Sequence, residues 1–307
     1  MVTRCDGTCV PVFVIRPREE TGLFSQSSSK GESSSEISFV FDVHGGGLFL
    51  KASPMHFARA KDYACLLGCP VVMPDYRLLP KHPFPAALED CFAAYRWALD
   101  ELATQQLERR GLDSRDDGAS DNQRDGRIVM LGDSAGGCLA VALTLLTSSN
   151  AIRMPDSLML IYPCLDRRCS TRSMIEYVDT PVWDTKLNAL MWQCYLPDGI
   201  PSELVPEDAK CLDLYSGLNR PLEGNMLLGL ASPSESHNLG RLPRTYVEVA
   251  TFDCLRDEGI AFAEKLEDLG VPIECFQVPG TPHGYDIVVD SPMVEKMMQK
   301  RLEWLTS

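Results

Sequence analysis

Short apolar runs and longer helix-like stretches alternate along most of the chain. Runs rich in β-branched and other apolar residues, the pattern of strands buried on both faces, occur at residues 9–15, 36–43, 70–74, 128–131, 157–162, 245–250 and 272–278. Stretches between them predict helices at residues 53–67, 85–106, 138–146, 256–269 and 294–305. This alternation predicts an α/β fold with a largely parallel sheet flanked by helices.

One long stretch breaks this rhythm. Residues 166–240 contain helix-like pieces and a remainder rich in proline, serine and glycine, without a clear strand. An insertion of this size into an alternating fold usually covers the end of the sheet where ligands bind. We therefore predict a core made of residues 1–165 and 241–307, and a cap made of residues 166–240. The serine-rich residues 21–36 and the charged residues 108–127 are predicted to be surface connections.

Composition and charge exclude several classes of protein. The chain is 45% apolar and 23% charged, which is ordinary for a globular protein, and its net charge of −14 argues against nucleic acid or an anionic membrane as partner. No apolar window approaches the ~18 residues of a membrane span, and the N-terminus lacks the pattern of a signal peptide. The twelve cysteines show no paired metal-ligand spacing. These features predict a cytoplasmic protein with reduced thiols and no metal.

A glycine-rich turn joins the strand at 128–131 to the helix at 138–146. Its sequence, Gly-Asp-Ser-Ala-Gly over residues 132–136, has the strand–turn–helix context of a nucleophile elbow, which would hold the hydroxyl of Ser134 at the rim of the sheet. The motif alone is weak, because Gly-x-Ser-x-Gly occurs by chance in roughly one of ten chains of this length. A plain glycine-rich turn is the alternative interpretation.

A second glycine-rich segment follows the strand at 36–43. Residues 44–47 read His-Gly-Gly-Gly, a much rarer pattern than the elbow. Glycines let the backbone approach a bound group closely and direct its amide donors toward it. The segment is therefore a candidate for stabilising negative charge that develops near Ser134.

A serine nucleophile needs a base, and the base needs an acid that orients it. Of the five histidines, only His237 and His283 follow Ser134, and His283 is favoured because it lies in a loop directly after the last strand. The acid should follow the preceding strand, where Asp253 stands. Asp257 and Glu258 compete with it, but both fall where the next helix begins and suit its dipole. Asp133, beside the nucleophile, is predicted to brace the turn.

Six motifs, in order and at suitable spacing, resemble the hormone-sensitive-lipase family of α/β-hydrolase carboxylesterases. They are HGGG at 44–47, DYRL at 75–78, HPFPAA at 82–87, GDSAGG at 132–137, DCLRDEG at 253–259 and HG at 283–284. The resemblance implies an α/β-hydrolase fold with a mostly parallel, eight-stranded sheet and a lid at 166–240. It further implies a Ser134–Asp253–His283 triad and an oxyanion hole formed by the amides of Gly45, Gly46 and Ala135. A homodimer is common in that family. Only 43 residues precede His44, fewer than usual, which predicts a more open pocket.

These features predict a serine carboxylesterase that hydrolyses short- to medium-chain esters through an acyl-enzyme, without metal or cofactor. Its partner is then a small-molecule ester. The predicted pocket walls are Leu48, Phe49, Trp183, Trp192 and Tyr195, although an aromatic residue on a helix is more often part of the core. Two alternatives stay open: amide or formamide hydrolysis by the same triad, and a non-catalytic small-molecule receptor such as the plant gibberellin receptor on this fold. The receptor is disfavoured because His283 is present.

Overall fold

A computed structural model describes residues 1–4, 7–17, 37–109, 126–149, 152–199, 224–287 and 291–307. The strands are β1 Val2–Thr3, β2 Cys9–Val10, β3 Val12–Ile15, β4 Ile37–Val43, β5 Val71–Pro74, β6 Arg127–Asp133, β7 Ser157–Ile161, β8 Arg244–Phe252 and β9 Ile273–Pro282. The helices are α1 Pro54–Leu67, α2 Ala86–Arg109, α3 Ala135–Ser149, α4 Arg172–Glu176, α5 Thr185–Tyr195, α6 Gly224–Ala231, α7 Arg256–Asp268 and α8 Pro292–Thr306. The predicted connections at 21–36 and, for the most part, 108–127 lie outside the described residues.

The main sheet has the strand order β3-β5-β4-β6-β7-β8-β9. β3 is antiparallel to β5, and every other neighbouring pair is parallel. The predicted α/β fold with a mostly parallel sheet is therefore confirmed. Because parallel strands end at the same edge, the loops that follow β4, β6, β7, β8 and β9 all leave the sheet at one side.

The count of eight strands implied by the resemblance is wrong for the described residues, which form a main sheet of seven. The N-terminal run predicted as one strand at 9–15 divides at Pro11, which lacks the amide hydrogen that a ladder needs. β2 therefore pairs with β1, with Val2 opposite Val10, in a separate two-stranded sheet. Only β3 joins the main sheet, at its edge.

Apolar side chains alternate between the two faces of the sheet, and helices cover both. In β4, Phe39 and Phe41 pack with α2 and α3, whereas Val40 packs with α1 on the opposite face. The second face is completed by α8 through residues such as Trp304. With both faces buried, the sheet is a rigid support for the loops at its edge.

All five helices predicted between the strands are present, with shifted ends. α1 begins after Ser53, whose backbone is extended, and ends at Gly68 with φ of 67°. α3 begins three residues earlier than predicted, because Gly136 and Gly137 belong to the helix rather than to the turn. Their lack of a side chain lets the helix start close against neighbouring backbone.

The predicted cap contains α4, α5, α6 and two short 3-10 helices, and no strand among its described residues. Residues 200–223 of this region lie outside the described part. Its separation from the core at 165 and 241 stays a prediction. In the described part of the chain, no helix has the length and apolar character needed to cross a membrane.

Candidate active site

Ser134 occupies a strained corner between β6 and α3. Its φ is 54°, a left-handed conformation that non-glycine residues rarely adopt outside sharp turns, and it is 5% exposed. A Cβ on Gly132 would lie 2.5 Å from the Gly136 carbonyl oxygen, and one on Gly136 would lie 2.0 Å from that of Val43. The glycines of the motif are therefore needed sterically, as the predicted elbow requires.

The glycine-rich loop after β4 lies directly against this corner. A Cβ on Gly45 would be 2.4 Å from Asp133 Oδ2 and 3.1 Å from Ser134 Cβ, and Gly46 has a φ of 107°. Within the described part of the chain, no acceptor takes a hydrogen bond from the amides of Gly45, Gly46 or Ala135. These three amides are thus available to a ligand beside the serine hydroxyl.

A chain of hydrogen bonds runs from Ser134 through His283 to Asp253. The Ser134 Oγ to His283 Nε2 distance is 2.9 Å, and the His283 Nδ1 to Asp253 Oδ2 distance is 2.7 Å. Asp253, which follows β8, is fully buried, and its Oδ1 accepts from the Leu255 amide at 2.9 Å. A carboxylate on Nδ1 favours the tautomer with its proton there, leaving Nε2 to accept the serine proton.

The competing acids are engaged elsewhere. Asp257 Oδ2 accepts from the Ser173 amide of α4 at 2.8 Å, and its Oδ1 accepts from Arg256. Glu258 is buried and accepts from the Leu165 amide at 2.6 Å, and burial raises the pKa of this carboxyl well above its ordinary value. Asp257 therefore fastens the cap region to the start of α7, and Glu258 fastens the residue directly before that region. His237, the other histidine after Ser134, is exposed on a loop and takes no part in this hydrogen-bond chain.

His44 is a structural histidine under the glycine loop. Its ring stacks on Tyr76 with 4.4 Å between centroids, and its Nδ1 lies 2.8 Å from the Gly45 carbonyl oxygen. Burial lowers the pKa of His44 to about 4, so the imidazole is neutral at neutral pH. The Tyr76 hydroxyl donates a hydrogen bond to the His44 carbonyl oxygen at 2.7 Å and so fixes the start of the glycine-rich loop.

A cavity of about 530 Å³ opens in front of Ser134 and His283. Of the five predicted wall residues, Phe49 and Trp183 line it. The other three, Leu48, Trp192 and Tyr195, were wrong as walls of this cavity, since they pack in the hydrophobic core. The error at α5 is one of helix face: Trp192 and Tyr195 point inward, whereas Leu187 faces the cavity. Leu48 turns inward at a φ of 60°.

Several residues at the site were missed from the sequence. Arg59 and His56 of α1 contact Asp133, which agrees with its predicted role as a brace, and Tyr162 packs against His283. Arg59 stands next to Ala60 on the buried side of α1, and a charged residue at such a position is a signal that indicates a buried ion pair. Among the described residues, no group of three His, Cys, Asp or Glu side chains is arranged to hold a metal ion.

Comparison with known proteins agrees with this geometry. Residues 40–287 match the family described as having an alpha/beta hydrolase fold. The chain belongs to this family. Esterase LipI from Mycobacterium tuberculosis is 31% identical to this α/β hydrolase over 250 residues, which cover 81% of the chain and 66% of that protein.

Hormone-sensitive lipase from Ictidomys tridecemlineatus is 37% identical over 186 residues, which cover 61% of this α/β hydrolase and 20% of that protein. The chain thus spans less than two thirds of the length of either relative. The crystal structure of esterase LipW from Mycobacterium marinum matches with a TM-score of 0.74 at 25% identity, covering 99% of this chain and 79% of that one. The resemblance predicted from the motifs is confirmed.

Proposed function

We propose that this α/β hydrolase is a serine carboxylesterase that cleaves short- to medium-chain esters through an acyl-enzyme. One observation carries the proposal: the hydrogen-bond chain Ser134–His283–Asp253 reaches a cavity next to amides that have no acceptor in the described part of the chain. Nucleophile, base, orienting acid and charge-stabilising donors are the four parts that acyl transfer needs.

Acylation begins when His283 Nε2 takes the proton of Ser134 as Oγ attacks the ester carbonyl carbon. Asp253 keeps the imidazole oriented and stabilises the imidazolium that forms, and the Leu255 amide holds Asp253 in place. The tetrahedral intermediate collapses with transfer of the proton from His283 to the departing alkoxide. The acyl group then remains on Ser134.

Negative charge on the carbonyl oxygen is met by the amides of Gly45, Gly46 and Ala135. Loss of one such donor typically costs about 2.7–4 kcal/mol of barrier. Ala135 is the first residue of α3, so its amide also benefits from the helix dipole. Deacylation repeats the sequence with water as nucleophile and His283 again as base.

The cavity favours an apolar substrate of modest size. Phe49, Trp183 and Leu187 give it apolar walls, and a volume of about 530 Å³ is in the range of sites for small molecules. Its mouth carries exposed apolar side chains, including Leu50 at 66% and Val182 at 56% exposure. The esterase and lipase names of the relatives agree with a carboxylic ester as substrate.

Two further assignments belong to the same proposal. Residues 166–240 act as the cap of the acyl pocket, because Val182, Trp183 and Leu187 line the cavity from outside the sheet. The protein works in the cytoplasm, which agrees with the absence of any disulfide among the described cysteines.

A fluorophosphonate probe tests the nucleophile. We expect wild-type protein to be labelled and Ser134→Ala to remain unlabelled while its thermal unfolding is unchanged; equal labelling would remove Ser134 as the nucleophile. Parallel rates on nitrophenyl esters and matching anilides of the same acyl group then test the reaction. Faster cleavage of the anilides would assign an amidase instead, and labelling without turnover of either series would favour the receptor.

A further inference from the structure

Two carboxylates at the ends of adjacent strands share one buried guanidinium. Asp42 lies in β4, two residues before His44, and Asp133 is the last residue of β6, next to Ser134. Arg59 Nη2 donates to Asp133 Oδ1 at 2.5 Å and to Asp42 Oδ1 at 3.3 Å. The three side chains are almost completely buried, with Arg59 the most exposed at 9%.

Asp133 also contacts the loop that supplies two of the amides. Its Oδ2 lies 3.4 Å from His56 Nε2, and only 2.4 Å from the position that a Cβ on Gly45 would occupy. The Ser53 amide donates to His56 Nδ1 at 2.9 Å. Since an amide can only donate, Nδ1 accepts and the proton on Nε2 faces Asp133. The carboxylate is thus held between α1 and the backbone of Gly45.

The electrostatic balance of this cluster depends on Arg59. Burial alone would raise the pKa of Asp133, but the charge of Arg59 and hydrogen bonds from His56 and Arg59 hold it far below its ordinary value. Burial raises the pKa of Asp42, and Arg59 opposes that rise. Without the guanidinium, two buried carboxyl groups would face each other without a counter-charge, which proteins resolve by protonation or by movement.

We propose that Arg59 is a positioning residue that fixes the spacing between the amides of Gly45 and Gly46 and the amide of Ala135. Gly45 and Gly46 follow β4, whereas Ala135 begins α3 after β6, so no short covalent link sets the separation of these donors. Arg59 adds a side-chain link between the two strands, through Asp42 on β4 and Asp133 on β6, beyond the backbone pairing that ends at Val43 and Gly132. The inference rests on the proposed function, in which these amides bind the oxyanion, and a small displacement of such donors is costly in the transition state.

The surroundings of Arg59 make this role testable by chemical rescue. Arg59 lines the catalytic cavity and also a second cavity of about 320 Å³ between α1 and α8. Removal of its side chain would leave a space open to both cavities. A small guanidinium ion could enter that space and contact the same two carboxylates.

The experiment compares Arg59→Ala with wild type on a short nitrophenyl ester and with a trifluoromethyl ketone that mimics the tetrahedral intermediate. We expect kcat and the affinity for the ketone each to fall about 10²-fold, with KM changed by no more than about twofold. Methylguanidinium should restore at least about tenfold of the lost kcat, because it returns a charged N–H donor to the two carboxylates that Arg59 Nη2 contacts. Tetramethylammonium at the same concentration, which cannot donate hydrogen bonds, should restore none.

Arg77→Ala is the matched control. Arg77 also bridges two carboxylates, Asp90 at 2.9 Å and Glu89 at 2.7 Å, but does not line the cavity. It should lose stability while keeping wild-type kcat and ketone affinity. If Arg59→Ala does not fold, the variant Arg59→Met/Asp42→Asn removes the guanidinium together with one of its two carboxylates, and is expected to fold with low kcat.

Wild-type kcat and ketone affinity in a folded Arg59 variant would overturn the inference, as would a raised KM with unchanged kcat. Each of these results leaves Ser134 labelling intact, so the proposed function would stand. Loss of fluorophosphonate labelling specificity for Ser134 would instead contradict the proposed function itself.

Discussion

The ring of Tyr162 packs against the imidazole of His283 with 4.7 Å between centroids, while its hydroxyl donates a hydrogen bond to Asp286. Tyr162 follows β7 in a strained conformation with a φ of 36°, and Asp286 lies three residues after His283. One side chain therefore contacts the imidazole and fastens the loop that carries it. Asp286 is fastened in turn by Arg301 of α8, at 3.1 Å.

Tyr162→Phe keeps the aromatic ring and removes the hydrogen bond from the hydroxyl to Asp286, which anchors the loop that carries His283. We expect kcat to fall by about three- to tenfold with little change in KM, because one hydrogen bond to a carboxylate contributes about 1.5–3 kcal/mol and only part of it acts on the imidazole. Steady-state kinetics on a short ester measure this. Tyr63→Phe is the control: among the described residues, the hydroxyl of this buried tyrosine donates a hydrogen bond to the Met159 sulfur alone, at 3.8 Å, so its loss should not affect kcat. A reduced kcat in both variants would contradict the anchor.

Asp253→Asn should lower kcat by up to about 10⁴-fold, because an amide can stabilise the wrong tautomer of His283 and cannot stabilise its charged form. Asp257→Asn should keep wild-type kcat, since an amide oxygen can still accept from the Ser173 amide. Single-turnover acylation rates for the two variants measure the difference. The reverse order of effects would make Asp257 the acid.

Gly136→Ala tests the steric demand of the elbow. The added Cβ would lie 2.0 Å from the Val43 carbonyl oxygen, so either β4 or α3 must move, and we expect a loss of more than about 3 kcal/mol in unfolding free energy. At Gly240 the nearest atom to an added Cβ is 3.8 Å away, so Gly240→Ala should be neutral or slightly stabilising. Urea denaturation measures both. Equal stability of the two variants would argue against the close contact.

Trp183→Ala should shift the preferred acyl length upward. The indole covers Gly47, where a Cβ would lie 2.4 Å from its ring, and it faces the cavity, so truncation enlarges the site. We expect the ratio of kcat/KM for an octanoate over an acetate ester to rise on the order of tenfold. Trp192→Ala, which truncates a core residue of the same region, should lower stability and leave this ratio unchanged.

The His44 imidazole should make stability depend on pH. Its pKa is about 4 in the folded protein and about 6.5 when unfolded, so the unfolded chain binds more protons between these values. The neutral ring contributes on the order of 3 kcal/mol to the free energy of unfolding. This contribution is present above about pH 6.5 and is lost as pH falls toward 4. Urea unfolding of wild type and His44→Phe across this range measures it. An equal slope in both proteins would contradict the buried, neutral ring.

The site loops were predictable because each comes after a strand that an apolar run reveals. Ser134, Asp253 and His283 each stand directly after such a run, and parallel strands bring their C-terminal loops together at one edge of the sheet. Chain order left His237 and His283 as candidates, and the position of His283 directly after the last strand separated the two. The roles of these residues in catalysis stay predictions, which labelling and the Asp253 and Asp257 variants test.

Features that depend on side-chain direction were not predictable in the same way. The sequence pattern of α5 does not reveal which face of the helix meets the cavity. It therefore predicts Trp192 as a wall residue, whereas Leu187 lines the cavity and Trp192 packs in the core. Arg59 acts through carboxylates 17 and 74 residues away in the chain, and no local spacing encodes that contact. The division of the N-terminal strand at Pro11 was not predicted either, although a proline inside an apolar run is a signal that indicates it.

Helix α1 runs from the catalytic edge, where His56 and Arg59 lie, toward the opposite edge, where Cys65 is exposed. At about 1.5 Å per residue, the nine positions from His56 to Cys65 separate the two ends by about 14 Å. A resin or electrode coupled to that thiol would hold the molecule with the opening of the catalytic cavity facing the substrate solution. Immobilisation through Cys65 should therefore preserve turnover.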